Sequence, residues 1–200
     1  GLGMIQDTRE TLDNRIKDHQ NAILELSSMV EQAMLVAGEA LKNRDLDQAW
    51  SIYQADQQVN QKRFAIEEKT LVTVATQAPM ASDLRILASI IDLAGELERI
   101  GDYAKGIARI AIRLGDSPPL RELIHIPKMA EQTVDMLQRA VRAFVDRDEK
   151  SALSIPKEDD QVDDLYNQIY AELLEIMFAD TTTIDRATFH LWVAHNLERA

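Results

Sequence analysis

PMASDLRILASIIDLAGELERIGDYAKGIARIA, residues 79–111, decides the fold class. Leu84, Leu87, Ile90, Ile91, Ala94, Leu97, Ile100, Ala104, Ile107 and Ala108 recur at steps of three and four. That spacing is one apolar stripe on one long amphipathic helix. Ser82 or Asp83 stands where it can cap the start, with Pro79 just upstream. Glu98 and Asp102 are four apart, so their carboxylates stand one above the other. Such a like-charge pair costs a free helix a few tenths of a kcal/mol, a penalty that a bound cation reverses. Gly101 costs about 1 kcal/mol of helix stability relative to Ala. It also removes bulk beside the two acids, the room a cation needs.

Working outward, a first helix is expected from about Ile5 to Lys42. Ile16, Ile23, Leu26, Val30, Ala33, Met34, Ala37 and Leu41 mark its buried face. Asn43-Arg44-Asp45 breaks it, and Asp45 with Gln48 reads as a capping box. A second helix runs to about Thr76, with Ala49, Ile52, Val59, Phe64, Ile66, Leu71 and Val74 inward. The opening helix follows, to about Leu114. Gly115-Asp116-Ser117-Pro118-Pro119 is the strongest punctuation and the expected boundary between a domain over 4–115 and one over 120–200. A fourth helix starts at His125-Ile126-Pro127 and runs to about Val145. Met129, Val134, Leu137, Val141 and Phe144 are periodic in it. A fifth reaches about Ala179, with Pro156 near its start, and a sixth begins near Ile184.

The pattern repeats. NRDLDQA at 43–49 lies over DRDEKSA at 146–152, and Asp56 and Val59 lie over Asp159 and Val162 at the same offset. Leu97-Glu98-Arg99 lies over Leu197-Glu198-Arg199. The expected fold is all-α: two tandem three-helix bundles of antiparallel helices, with no strand.

Composition agrees with helices. There are 7 Gly and 5 Pro in 200 residues, and aromatics are few. A net charge of −12 argues against a nucleic-acid or anionic-membrane surface and suits cation binding or an acidic solvated face. With no cysteine there is no disulfide framework and no thiolate metal site. No apolar run approaches the ~18 residues of a membrane span. GLGMIQDTRE lacks the apolar core of a signal peptide, so a cytoplasmic protein is expected.

DLR at 83–85 followed by LERIGDYAKGIA at 97–108 resembles the signature of the PhoU family, bacterial regulators of phosphate uptake. The resemblance covers most of the chain. It implies a non-enzymatic cytoplasmic adaptor that damps phosphate uptake and starvation signalling, and forms a homodimer. Its implied partners are the ATPase subunit of a phosphate ABC transporter and a sensor histidine kinase, so it meets the membrane only through them. It also implies that an acid-x-x-x-Asp motif on two helices of each repeat holds metal, iron or another cation, in clusters on the bundle surface. By that resemblance one site takes Asp56, Asn60, Glu98 and Asp102, and a second takes Asp159, Asp163 and Glu198. Asn60 stands where the family has an acid, and the acid expected four residues after Glu198 falls beyond Ala200. Oxygen donors of this kind suit hard cations. Position 56 lies about 22 residues before the turn near Gln77–Ala81 and position 98 about 19 after it, at a rise of ~1.5 Å per residue. An oblique patch is expected, with Glu98 nearest both residues of the second helix.

Acid spacing alone is a weak signal. Thirty-four acids in 200 residues give about six acid pairs at i,i+4 by chance, and 5 occur. A solvated face is the ordinary reading of such a pair, and Lys105 is placed to make Asp102 a surface ion pair. Glu122-Leu-Ile-His125 has the spacing of di-iron carboxylate bundles, which need that motif twice. His190 and His195 do not share a helix face. No Gly-rich phosphate loop and no nucleophile beside a base is present. A structural helical module and a di-iron enzyme therefore stand as the alternatives to the regulator.

Overall fold

A computed structural model describes residues 2–114 and 125–146. Four helices result: α1 Leu2–Asn43, α2 Leu46–Gln77, α3 Ala81–Leu114 and α4 His125–Asp146. The fold is all-α, and among the described residues there is no strand. The expected boundary at 115–119, the helices over 147–200 with Pro156, and Glu122, His190 and His195 lie outside the described residues.

The breaks follow local chemistry. Arg44 takes a left-handed backbone (φ 55°). Asp45 then caps α2, its carboxylate accepting from the Gln48 amide at 3.1 Å. Ala78, also left-handed (φ 43°), ends α2. The expected cap of α3 is a correction. Asp83 is already inside the first turn, and its buried carboxylate accepts from Arg9 of α1 instead. The third helix starts at Ala81, which puts Met80 at its N-cap and both Ser82 and Asp83 inside its first turn.

Helices α1, α2 and α3 pack mutually, and α4 lies on α1. The eight expected inward residues of α1 are all buried. On α3, Leu87, Ile90, Ala94, Leu97, Ile100, Ala104, Ile107 and Ala108 are buried, whereas Leu84 is exposed and Ile91 only half-buried. Ala130, Val134, Met136 and Leu137 of α4 join the same core.

Helix α2 departs most from expectation. Phe64 and Leu71 are exposed, and Val74 is half-buried. The buried positions are Ala49, Ile52, Asp56, Val59, Ile66, Thr70 and Thr73, a sequence of three- and four-residue steps interrupted only at Arg63. That is a heptad seam with polar residues inside it. Phe64 lies one residue out of phase, which turns it about 100° away from the seam.

Candidate metal centre

Asp56 occupies a seam position of α2, 5 % exposed. An isolated carboxylate there would be strongly disfavoured, so it carries partners. Asn60, one turn on, donates its amide to Asp56 Oδ2 at 3.4 Å. Lys105 of α3 places Nζ 3.3 Å from the same oxygen. Asp56 Oδ1 and Asn60 Oδ1 are both buried and accept no hydrogen bond. A buried polar atom left this way costs about 1–3 kcal/mol.

The acids of α3 stand opposite. Arg63 Nη1 of α2 lies 2.8 Å from Glu98 Oε2, while its Nη2 reaches Glu67 Oε1 at 3.0 Å. The Glu98 contact is charge against charge without hydrogen-bond alignment, so Oε2 too is buried with no donor. The Asp102 carboxyl is pushed above its ordinary range by burial first, then by the charges of Asp56 and Glu98, with Lys105 opposing.

These contacts set the register. Asp56 and Asp102 are equidistant in sequence from Pro79, and so are Asn60 and Glu98. The two helices are antiparallel about that turn, which brings Asp56 level with Asp102 and Asn60 level with Glu98. The expected oblique patch with Glu98 nearest both partners is therefore corrected to two level pairs. The expectation set Asp56 and Glu98 at similar heights, whereas this register puts them about one helical turn apart. Gly101 is corrected as well. A Cβ on it would meet Val59 Cγ1 at 3.3 Å and Val30 Cγ2 at 3.8 Å, so its small size serves the close approach of α3 to its neighbours, not space beside the acids. Lys105 pairs with Asp56 across the helices, not with Asp102 along one.

The structure thus brings Asp56, Asn60, Glu98 and Asp102 to one polar break in the α2–α3 seam. Asp159, Asp163 and Glu198 lie outside the described residues. Sequence reasoning missed Arg63. Its signal was available: 63 continues the three-and-four pattern of Asp56, Val59, Ile66 and Thr70.

By donor type alone, the oxygens are those that suit a hard cation. Three buried oxygens lack a hydrogen bond, and one carboxyl is destabilised by two others. Among the described residues, no three acid or histidine side chains stand together in ligand geometry. The physical reason is that Lys105 and Arg63 already hold Asp56 and Glu98, drawing the oxygens to two separate cations.

Comparison with known proteins agrees over nearly the whole length. The PhoU domain family model matches residues 23–111 and 126–200. The phosphate-specific transport system accessory protein PhoU of Edwardsiella tarda is 34% identical over 198 residues, which is 99% of this chain and 82% of that one. The PhoU homolog of Aquifex aeolicus is 30% identical, covering 94% of this chain and 85% of its own. The crystal structure of PhoU from Pseudomonas aeruginosa superposes with a TM-score of 0.81 at 32% identity, covering 94% of this chain and 90% of that one. The phosphate transport system regulatory protein PhoU from Streptococcus pneumoniae gives 0.79 at 29% identity, covering 94% and 88%. On these likenesses the chain belongs to the PhoU family.

Proposed function

We propose that this protein is a non-enzymatic accessory regulator of a phosphate-specific transport system, damping phosphate uptake and starvation signalling. The observation that carries the reading is the nearly full-length likeness to proteins named as accessory to that system. Such a regulator acts by docking. Its partners in this reading are the transporter's cytoplasmic ATPase subunit and a sensor histidine kinase, and it works as a cytoplasmic homodimer. The first test is complementation. Expressed in a host lacking its own PhoU-type regulator, the chain should lower phosphate uptake in phosphate-rich medium and co-purify with the ATPase or the kinase. Unchanged uptake with the protein present, and neither partner recovered, would overturn the proposal.

The reading includes a cation held by Asp56 and Asn60 of α2 with Glu98 and Asp102 of α3, and by Asp159, Asp163 and Glu198 in the second repeat. Iron is one candidate. When bound, the metal supplies a positive charge that four oxygen donors on two helices share. Asp56 and Asn60 present their unpartnered Oδ1 atoms from the seam, and Glu98 and Asp102 stack along α3. Their shared task is to fix the α2–α3 register. Elemental analysis of protein purified without chelator or nickel resin checks this. Glu98→Gln with Asp102→Asn should lose at least half of the bound metal. Equal metal in parent and variant would leave a structural helical module. That second reading is favoured by Lys105 and Arg63, which already neutralise Asp56 and Glu98. Oxygen-dependent turnover in the metal-loaded protein would instead favour the di-iron enzyme.

A further inference from the structure

We propose that Lys105 is a tethered counter-ion that competes with the metal for Asp56 and so sets the affinity of the centre. The inference rests on the metal reading above and deepens it.

Two internal cations face the four donors, and they are not equivalent. Arg63 is held at several points. It spans Glu67 and Glu98 at 3.0 and 2.8 Å, and its guanidinium lies over the Phe64 ring at 5.2 Å. Releasing it would leave a half-buried guanidinium and two carboxylates to find new partners. Lys105 makes one carboxylate contact, at 3.3 Å. That is longer than the 2.7–2.9 Å or so of a strong charge-assisted bond. Its ammonium is a compact charge on a flexible stem.

Lys105 also has somewhere to go. Its Nζ stands 5.3 Å from the centroid of the Tyr53 ring, within cation–π range. Tyr53 is held in place for that role. Arg109 Nε donates to its hydroxyl at 2.8 Å, and Trp50 packs against the ring with centroids 5.5 Å apart. The ammonium therefore sits between a carboxylate and an aromatic face. A divalent ion entering at Asp56 displaces the single positive charge, and the ring keeps it out of the apolar seam. Without metal, the same lysine keeps the buried Asp56 paired, which a lone carboxylate in that seam requires.

The experiment is calorimetric titration of the full chain with Mn²⁺ as the probe, beside melting temperatures with and without the ion. Lys105→Leu should tighten Mn²⁺ binding about tenfold or more, the scale of one unit charge near a half-buried site. It should also lower the melting temperature of the metal-free protein and enlarge the rise that Mn²⁺ gives. Lys105→Arg, which keeps the charge, should bind within about threefold of the parent. If Lys105→Leu folds poorly, Tyr53 supplies the second route. Tyr53→Leu removes the alternative station and should weaken Mn²⁺ binding, while Tyr53→Phe keeps the ring and should not. Equal or weaker binding by Lys105→Leu, in a protein whose Asp56→Asn variant no longer binds, would overturn the competition and leave the metal site standing. Mn²⁺ binding that is absent from the parent, or unchanged by Asp56→Asn, would overturn the metal reading itself.

Discussion

Asp102 bears an electrostatic cost that Lys105 offsets only in part. Burial raises its carboxyl, and Asp56 and Glu98 raise it further. A raised acid contributes stability that is fully present below the ordinary carboxylate range, near 3.8, and is lost as pH rises through its folded value. That contribution is smaller at neutral pH than in acid. Asp102→Asn should therefore melt higher than the parent in chelator at pH 7. The relief is a few tenths of a kcal/mol per like-charge neighbour, about 1–2 °C for a chain of this size. The gap should close as the buffer is taken below pH 4; a gap constant with pH would show that charge is not its cause. His19 runs the other way. The Thr73 hydroxyl donates its one proton to the Lys69 carbonyl at 3.1 Å, so His19 Nε2 must be the donor to Thr73 Oγ1 at 2.8 Å. Nε2 thus carries a proton in a buried setting. Burial lowers the ring's affinity for a proton, Arg15 and Lys69 lower it further, and Asp18 opposes them. Its contribution to stability is complete above the ordinary value of 6.5 and is lost as pH falls through the folded value. Melting temperature followed from pH 7.5 to 5 should fall less steeply in His19→Gln than in the parent. Neither charge state was legible in the sequence. Asp102 needs Asp56 from another helix, and His19 needs Thr73, 54 residues away.

At the scale of the helix, what the sequence shows well is where chain direction changes. Asn43-Arg44-Asp45 has both a turn-forming and a capping residue, and α2 begins where that chemistry places it. What it shows poorly is rotation about the helix axis. Helix α2 has apolar residues on both sides, so Phe64 and Leu71 look inward until the polar seam residues Asp56, Thr70 and Thr73 are seen to be buried. The four residues of the candidate centre were identifiable from the family resemblance, not from acid spacing, which is at chance level. Their level pairing was not, because it depends on the turn at Ala78 to within one residue. Two glycines of α3 test the packing that results. A Cβ on Gly95 meets only Arg63 Nη2, the end of a flexible side chain, at 3.9 Å, whereas one on Gly101 meets the buried, branched Val59 at 3.3 Å. Both changes gain the helix preference of Ala, about 1 kcal/mol. Gly95→Ala should keep most of that gain. Gly101→Ala should lose it to overpacking, which costs about 1–3 kcal/mol in a tight core. Denaturant unfolding of the two variants side by side makes the comparison. A Gly101→Ala protein as stabilised as Gly95→Ala would mean that α2 and α3 do not approach so closely.

Across the whole molecule, α1 is the common element. It packs against α2, α3 and α4. The consequence is cooperative. Val134, Met136 and Leu137 of α4 share one apolar core with Ile23, Leu26 and Met34 of α1. A helix that shares its core with a bundle cannot unfold without exposing part of that bundle. Leu137 is 2% exposed, so Leu137→Ala leaves a cavity that should cost about 2–5 kcal/mol. The decisive readout is which signals move. The exposed Trp50 on α2 is far in sequence from Leu137, yet it reports on the α1–α3 bundle. If α4 is part of that cooperative unit, the change shifts helical circular dichroism and Trp50 fluorescence to the same lower denaturant midpoint. Trp192 should first be replaced by Phe so that the emission belongs to α2 alone. A Trp50 midpoint that stays where it was, while part of the helical signal is lost earlier, would mean that α4 docks on α1 as a separable element. The register of the candidate centre on α2 and α3 would then be insulated from the second half of the chain. Coincident shifts would mean the opposite: an event at either half is transmitted through α1 to the other.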